Sequence, residues 1–143
     1  MPVMTPEMLE EFNAREFPEV ADAGYRVQTV TDKTITVTMQ TRDVDLRPGG
    51  TVSGPTMMSL VDVTMYFLVL AQIGPVALAV TTNLNINFLR KPKPGNMRAD
   101  GTLLKLGKLL ATGEVSIYSE GVEEPVAHAT VTYAIPPANN GAR

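Results

Sequence analysis

The stretch Thr56 to Ile73 is strongly apolar and carries one charge, Asp62, near its middle. Its length admits two structures, a membrane span or a helix enclosed by other protein. A carboxylate at the centre of a bilayer costs about 2.5–3.5 kcal/mol on insertion scales. Ser59 and Thr64 add polarity, and no basic residue flanks the stretch closely. The remainder of the chain has the pattern of amphipathic strands, so the enclosed helix is the expectation. Met57, Met58, Leu60, Val61, Val63, Met65, Tyr66, Phe67, Leu68, Val69 and Leu70 occupy every angle of its wheel. A helix apolar all round must be covered all round. One curved sheet wrapped about it, with a second copy of the chain over what remains, meets that demand. A homo-oligomer, dimer or tetramer, is therefore expected.

The flanking sequence supplies such a sheet. Thr5-Pro6-Glu7 reads as a helix start, with Thr5 as cap and Pro6 at the first position, and the short helix runs to Phe17 before Pro18. Tyr25 to Thr31 and Lys33 to Gln40 read as strands. In the second, Ile35, Val37 and Met39 alternate with threonines, the period-2 mark of a half-buried strand. The irregular stretch Asp43 to Pro55 feeds the apolar helix, which runs from about Pro55 to Gln72 and stops at Gly74-Pro75. Val76 to Leu89, Met97 to Leu106, Leu109 to Ser119 and Val126 to Ile135 follow as strands. Short gaps between successive strands favour antiparallel pairing. The order gives an α+β architecture in one domain, residues 1–135. Residues 136–143 read as a disordered tail.

Composition narrows the function. A net charge of -3 gives no reason to expect nucleic acid or an anionic membrane as partner. The absence of cysteine excludes a disulfide, a thiolate metal site and a cysteine nucleophile, and suits a reducing, cytoplasmic setting. His128 is the only histidine and sits between two alanines in the last strand. Structural burial is its expected role, and no metal or bound cofactor is anticipated.

The run Gly49-Gly50-Thr51-Val52-Ser53-Gly54-Pro55 through Asp62, followed by Thr81 to Pro92, resembles the hotdog-fold acyl-CoA thioesterases of the phenylacetate-degradation (PaaI-like) type. In that family a His-Gly-Gly turn opens the central helix, and an Asp lies eight residues after the first glycine. Gly54 and Asp62 have that spacing. A Thr- or Ser-initiated strand ending in Phe-Leu-Arg-Pro or a close variant is its second hallmark, matched here by Thr81 to Pro92. The resemblance implies a hotdog fold, a curved antiparallel sheet around one long central helix with a short helix before it. It also implies hydrolysis of an acyl-CoA thioester at a site shared between two subunits, Asp62 of one facing Gly54 of the other. Three positions depart from the pattern. Ser53 stands where the family has His, Pro55 replaces the second Gly, and Arg47 sits about where many members carry Asn.

Thioester hydrolysis needs a carboxylate or an activated water, and donors aimed at the developing oxyanion. The resemblance assigns Asp62 as nucleophile or general base and the Gly54 N–H as oxyanion donor; the alternative for Asp62 is a carboxylate satisfied at a packed interface. Thr81 matches a hydroxyl that positions water, or is simply packed. Tyr66, one helical turn after Asp62, shares its face and either shapes the acyl pocket or fills the core. Ser53, at the family's His position, is a candidate catalytic residue or a helix cap, and Arg47 is a candidate substrate- or CoA-binding residue. Arg90, Lys91 and Lys93 either pair with the phosphates of coenzyme A or form a solvated loop. Asn83, Asn85 and Asn87 read as sheet polarity. A non-catalytic acyl-CoA-binding protein, its turnover lost through Ser53, Pro55 and Arg47, is the alternative function.

Overall fold

The computed structural model describes residues 2–137; most of the expected tail lies outside them. Thr5 caps the first helix, α1 (Pro6–Glu16), its hydroxyl accepting from the Met8 N–H at 3.2 Å. Pro18 does end α1, but it also opens a second turn, α2 (Pro18–Ala21), because its fixed φ suits a first helical position. Six strands follow the expected order: β1 (Arg26–Val30), β2 (Thr34–Gln40), then, beyond the central helix, β3 (Val80–Phe88), β4 (Asn96–Leu106), β5 (Leu110–Ser119) and β6 (Ala127–Ala134). They form one antiparallel sheet in the order β1-β2-β4-β5-β6-β3. β3 starts four residues later than expected. After Gly74-Pro75 the chain turns, the Ala79 N–H donating to Val76 O at 3.1 Å, before it can join the sheet.

The central helix α3 (Gly54–Ile73) is wrapped by this sheet, which is the hotdog arrangement. Ser53 is its cap, accepting from the Thr56 N–H at 3.3 Å. Gly74 ends it at φ 100°, a left-handed conformation open to glycine. Leu60, Phe67, Leu68 and Leu70 have no exposed surface; burying a side chain of this kind stabilises by about 1.5–3 kcal/mol. Glycines on the strands let helix and sheet approach. A Cβ at Gly101 would stand 3.1 Å from Ile35 and 3.2 Å from Thr64, and one at Gly113 would stand 2.8 Å from the Met65 sulfur. By composition α3 would suit a bilayer, but it is the core of this fold.

One strip of α3 stays uncovered. Pro55, Met58 and Ser59 are exposed and Asp62, one turn on, is half-buried. Beside it, β3 is an edge strand, hydrogen-bonded among the described residues only to β6. Val80 and Phe88 on it are about half exposed.

Between β2 and α3 the chain is tied down by Asp45, which is buried. Its carboxylate accepts from the Arg42 N–H at 2.8 Å and from the Arg42 guanidinium at 3.1 and 3.2 Å. Its backbone carbonyl accepts the Ser53 N–H at 2.8 Å. The loop that delivers Ser53 and Gly54 is thereby fixed to the core.

Candidate active site

Asp62 reaches the open side of α3, and two strands bring hydroxyls to it. Tyr133 on β6 donates to Oδ1 at 2.8 Å, and Thr81 on β3 donates to the same oxygen. Tyr133 also lies 3.2 Å from the Asp62 carbonyl. Oδ2 has no hydrogen-bond partner among the described residues. Thr81 and Tyr133 are direct cross-strand partners, so both side chains emerge on the face that meets α3.

That pairing depends on a β-bulge. Leu84, Ile86 and Phe88 pair with Val131, Ala129 and Ala127, all on the inner face. Strict alternation from Leu84 would turn Thr82 inward and Thr81 out. The register shifts between Thr81 and Asn83, reversing the parity so that Thr81 points at Asp62.

A cavity of about 330 Å³ opens beside this carboxylate. Phe17, Val20, Val63, Tyr66 and Val80 give it a mainly apolar wall, and Asn13 on α1 contributes a carboxamide. Phe17 meets Tyr66 edge-to-face with centroids 5.7 Å apart, and Tyr66 lies 6.0 Å from the Tyr133 ring. Tyr66 satisfies its hydroxyl on Ala77 O at 3.3 Å, so it lines the cavity while also completing the core. Burial, aided by Glu16, raises its pKa to about 12. Burial and the neighbouring Asp62 push the Tyr133 hydroxyl far above the ordinary tyrosine range, so it stays a proton donor. A second cavity, of about 370 Å³, reaches Asp62 from the Arg42–Asp45 side.

Gly54 lies elsewhere. It lines a separate cavity of about 250 Å³ with Arg47, Phe88, Arg90 and Lys91. Its N–H makes no hydrogen bond among the described residues, and Pro55 has none to offer. The Arg90 guanidinium donates to Pro125 O at 2.6 Å. Lys93 is exposed and does not line this cavity. Eight residues of α-helix separate Gly54 from Asp62, roughly 12 Å along the axis. Within one chain these two groups do not meet.

The expected burial of His128 is corrected. It alternates with the inward residues of β6 and faces away from α3, half-exposed, with Nε2 2.9 Å from Glu114. It shares no face with Asp62. Tyr133 was not anticipated in the site. Only the pairing of β6 with β3 identifies it, and single-strand periodicity does not reveal that register.

The chain belongs to the thioesterase superfamily, whose family model matches residues 49–126. This span holds Gly54, Asp62, Thr81, Arg90 and Lys91; Arg47 precedes it. No curated protein matches the chain. Among solved structures it resembles a protein assigned to the thioesterases from Silicibacter sp. TM1040, at 43% identity and a TM-score of 0.87, covering 96% of this chain and 95% of that one. It also resembles a hypothetical thioesterase from Streptococcus pneumoniae solved with coenzyme A, at 22% identity and a TM-score of 0.75, over 87% and 97% of the two chains. A mutant of the phenylacetic acid degradation protein PaaI from Thermus thermophilus shares the fold at 24% identity and a TM-score of 0.72, over 82% and 98%.

Proposed function

We propose that the protein hydrolyses acyl-CoA thioesters to the free acid and CoA, at a site built from two copies of the chain. The observation that carries this reading is the state of Asp62. One carboxylate oxygen is fixed by Tyr133 and Thr81, and the other is left unbonded beside an apolar cavity. An oxygen free of protein partners at the mouth of an apolar cavity is open to a substrate or an attacking water.

In the reaction, the acyl group enters the cavity and its thioester carbon comes to rest by Oδ2 of Asp62. As general base, Oδ2 takes a proton from water, and the oxygen attacks the carbonyl carbon. As nucleophile, Oδ2 attacks directly and the resulting anhydride is cleaved by water. In either route the carbonyl oxygen becomes an oxyanion, the C–S bond breaks, and the sulfur leaves as thiolate and is protonated. The oxyanion needs a donor that does not compete with substrate. The free Gly54 N–H at the positive end of α3 suits that role, but only from a second copy, given its distance from Asp62 within one chain. A two-fold dimer formed through the β3 edges would cover Met58, Val80 and Phe88 and bring Gly54 of each copy towards Asp62 of the other. Arg90, Lys91 and Arg47, beside Gly54, would then face the CoA phosphates. No bound cofactor is needed, and the setting proposed is the cytoplasm.

The test is thiol release from a panel of short-chain, long-chain and aryl acyl-CoAs, with wild type and Asp62→Asn. The expected result is release by wild type and a fall of at least about a hundredfold in the variant, the scale of losing a principal acid–base group. Saturable binding without release on any thioester would replace this reading with an acyl-CoA-binding function. Release unaffected by the substitution would remove Asp62 from the mechanism.

A further inference from the structure

Asn13 carries a feature the hydrolytic scheme does not use. It is 4% exposed, it lines the cavity beside Asp62, and its carboxamide has no hydrogen-bond partner among the described residues. The amide faces the open cavity with no protein partner, so water answers it when the site is empty; a ligand that displaces that water without replacing its hydrogen bonds loses affinity.

Its place in the cavity follows from how α1 lies on α3. The chain before α1 is fixed to the far end of α3, with the Val3 N–H donating to Ala71 O at 2.6 Å. The end of α1 meets the middle of α3, where Phe17 packs on Tyr66. Val20 then lines both cavities that reach Asp62. The two helices therefore run in opposite directions. Asn13, one turn before Phe17 on α1, stands beyond the Phe17–Tyr66 pair as seen from Asp62, by roughly 6 Å of helix. It belongs to the distal end of the acyl compartment and not to the thioester.

Resting on the thioesterase reading, we infer that Asn13 is a specificity-determining residue that selects acyl groups carrying a hydrogen-bonding oxygen, hydroxyl or oxo, at their distal end. The carboxamide can donate to an oxo group or accept from a hydroxyl. At about 330 Å³ the cavity lies at the small end of ligand sites, a size that suits a short acyl group. A plain acyl chain of the same length would fit sterically but leave the amide unanswered, and a site that hydrogen-bonds its substrate discriminates strongly against the analogue lacking that group.

The experiment compares hexanoyl-CoA with its terminal-hydroxy and penultimate-oxo derivatives, for wild type and for Asn13→Leu, which keeps side-chain size and removes the polarity. Thioester hydrolysis gives kcat/KM, and the matching non-hydrolysable S-alkyl CoA thioethers give Kd by calorimetry. Wild type is expected to favour at least one oxygenated compound by tenfold or more in both readouts. Asn13→Leu is expected to lose that preference, and a melting transition and far-UV spectrum like those of wild type show that it folds. Asn13→Ser, polar but too short to reach, is expected to lose the preference as well. Equal treatment of plain and oxygenated compounds by wild type, or a preference that survives Asn13→Leu, would overturn the assignment. Failure of hydrolysis alone, with the thioether preference intact, would strike the reaction and leave the role of Asn13 standing.

Discussion

Asp62 is held by unequal treatment of its two oxygens, and that asymmetry is what the neighbouring hydroxyls are expected to control. Removing one donor from a charged acceptor costs about 1.5–3 kcal/mol. Tyr133→Phe is therefore expected to lower the melting temperature by several degrees and, in the protein that remains folded, to lower kcat about tenfold or more with KM within about twofold. A loss in stability with no split between kcat and KM would reduce Tyr133 to a packing residue. Asp45 works differently. Burial opposes its charge, but hydrogen bonds from the Arg42 guanidinium and backbone outweigh that and depress its pKa below the ordinary 3.8. A depressed carboxylate stabilises the fold above its unfolded pKa, and that contribution disappears as pH falls through the lower, folded value. Asp45→Asn is thus expected to melt lower than wild type at pH 7, the gap narrowing below about pH 4; a gap independent of pH would contradict the assignment. Asp62 was legible in the sequence because a single charge in an apolar helix demands an explanation. Tyr133 was not, because a tyrosine at the end of an alternating strand is ordinary until its cross-strand partner is known.

Among the elements, α3 was the most legible. Its all-round hydrophobicity admits only an enclosed helix, and the cap Ser53 and the stop at Gly74 fall where the chain chemistry puts them. Alternating threonines fixed β2 equally well. Two features of the site escaped. The bulge in β3 inverts which threonine faces Asp62, and bulges arise from pairing with a neighbour, which one strand does not encode. The turn α2 escaped because Pro18 reads first as a helix stop. The contact between sheet and helix makes a prediction at this scale. A Cβ on Gly113 would press within 2.8 Å of both the Met65 sulfur and the carbonyl oxygen of Thr102. The sulfur can yield, but the carbonyl belongs to β4 and cannot move freely. Gly113→Ala is expected to destabilise by about 1–3 kcal/mol in denaturant unfolding, the usual scale of overpacking. A change below about 0.5 kcal/mol would mean that the sheet accommodates the methyl.

At the scale of the whole molecule, the fold leaves undone what the chemistry requires. A strip of α3 and the β3 edge stay partly open, and the Gly54 N–H, without a partner among the described residues, lies about two helical turns from the carboxylate it would serve. The Gly54-to-Asp62 spacing was readable from the sequence, but its consequence was not, since only the curl of the sheet shows that the two residues open into separate cavities. The proposed two-fold pairing would resolve both together.

Subunit complementation tests this directly. Asp62→Asn and Gly54→Pro, which removes the backbone N–H, are each assayed alone, where both are expected to be inactive, then unfolded together, refolded as a mixture and assayed for thiol release. If each site takes its carboxylate from one copy and its amide from the other, every mixed dimer has one intact site, and statistical mixing restores about a quarter of wild-type activity. A mixture as inactive as its two components, with mixed dimers verified by mass, would contradict the shared site.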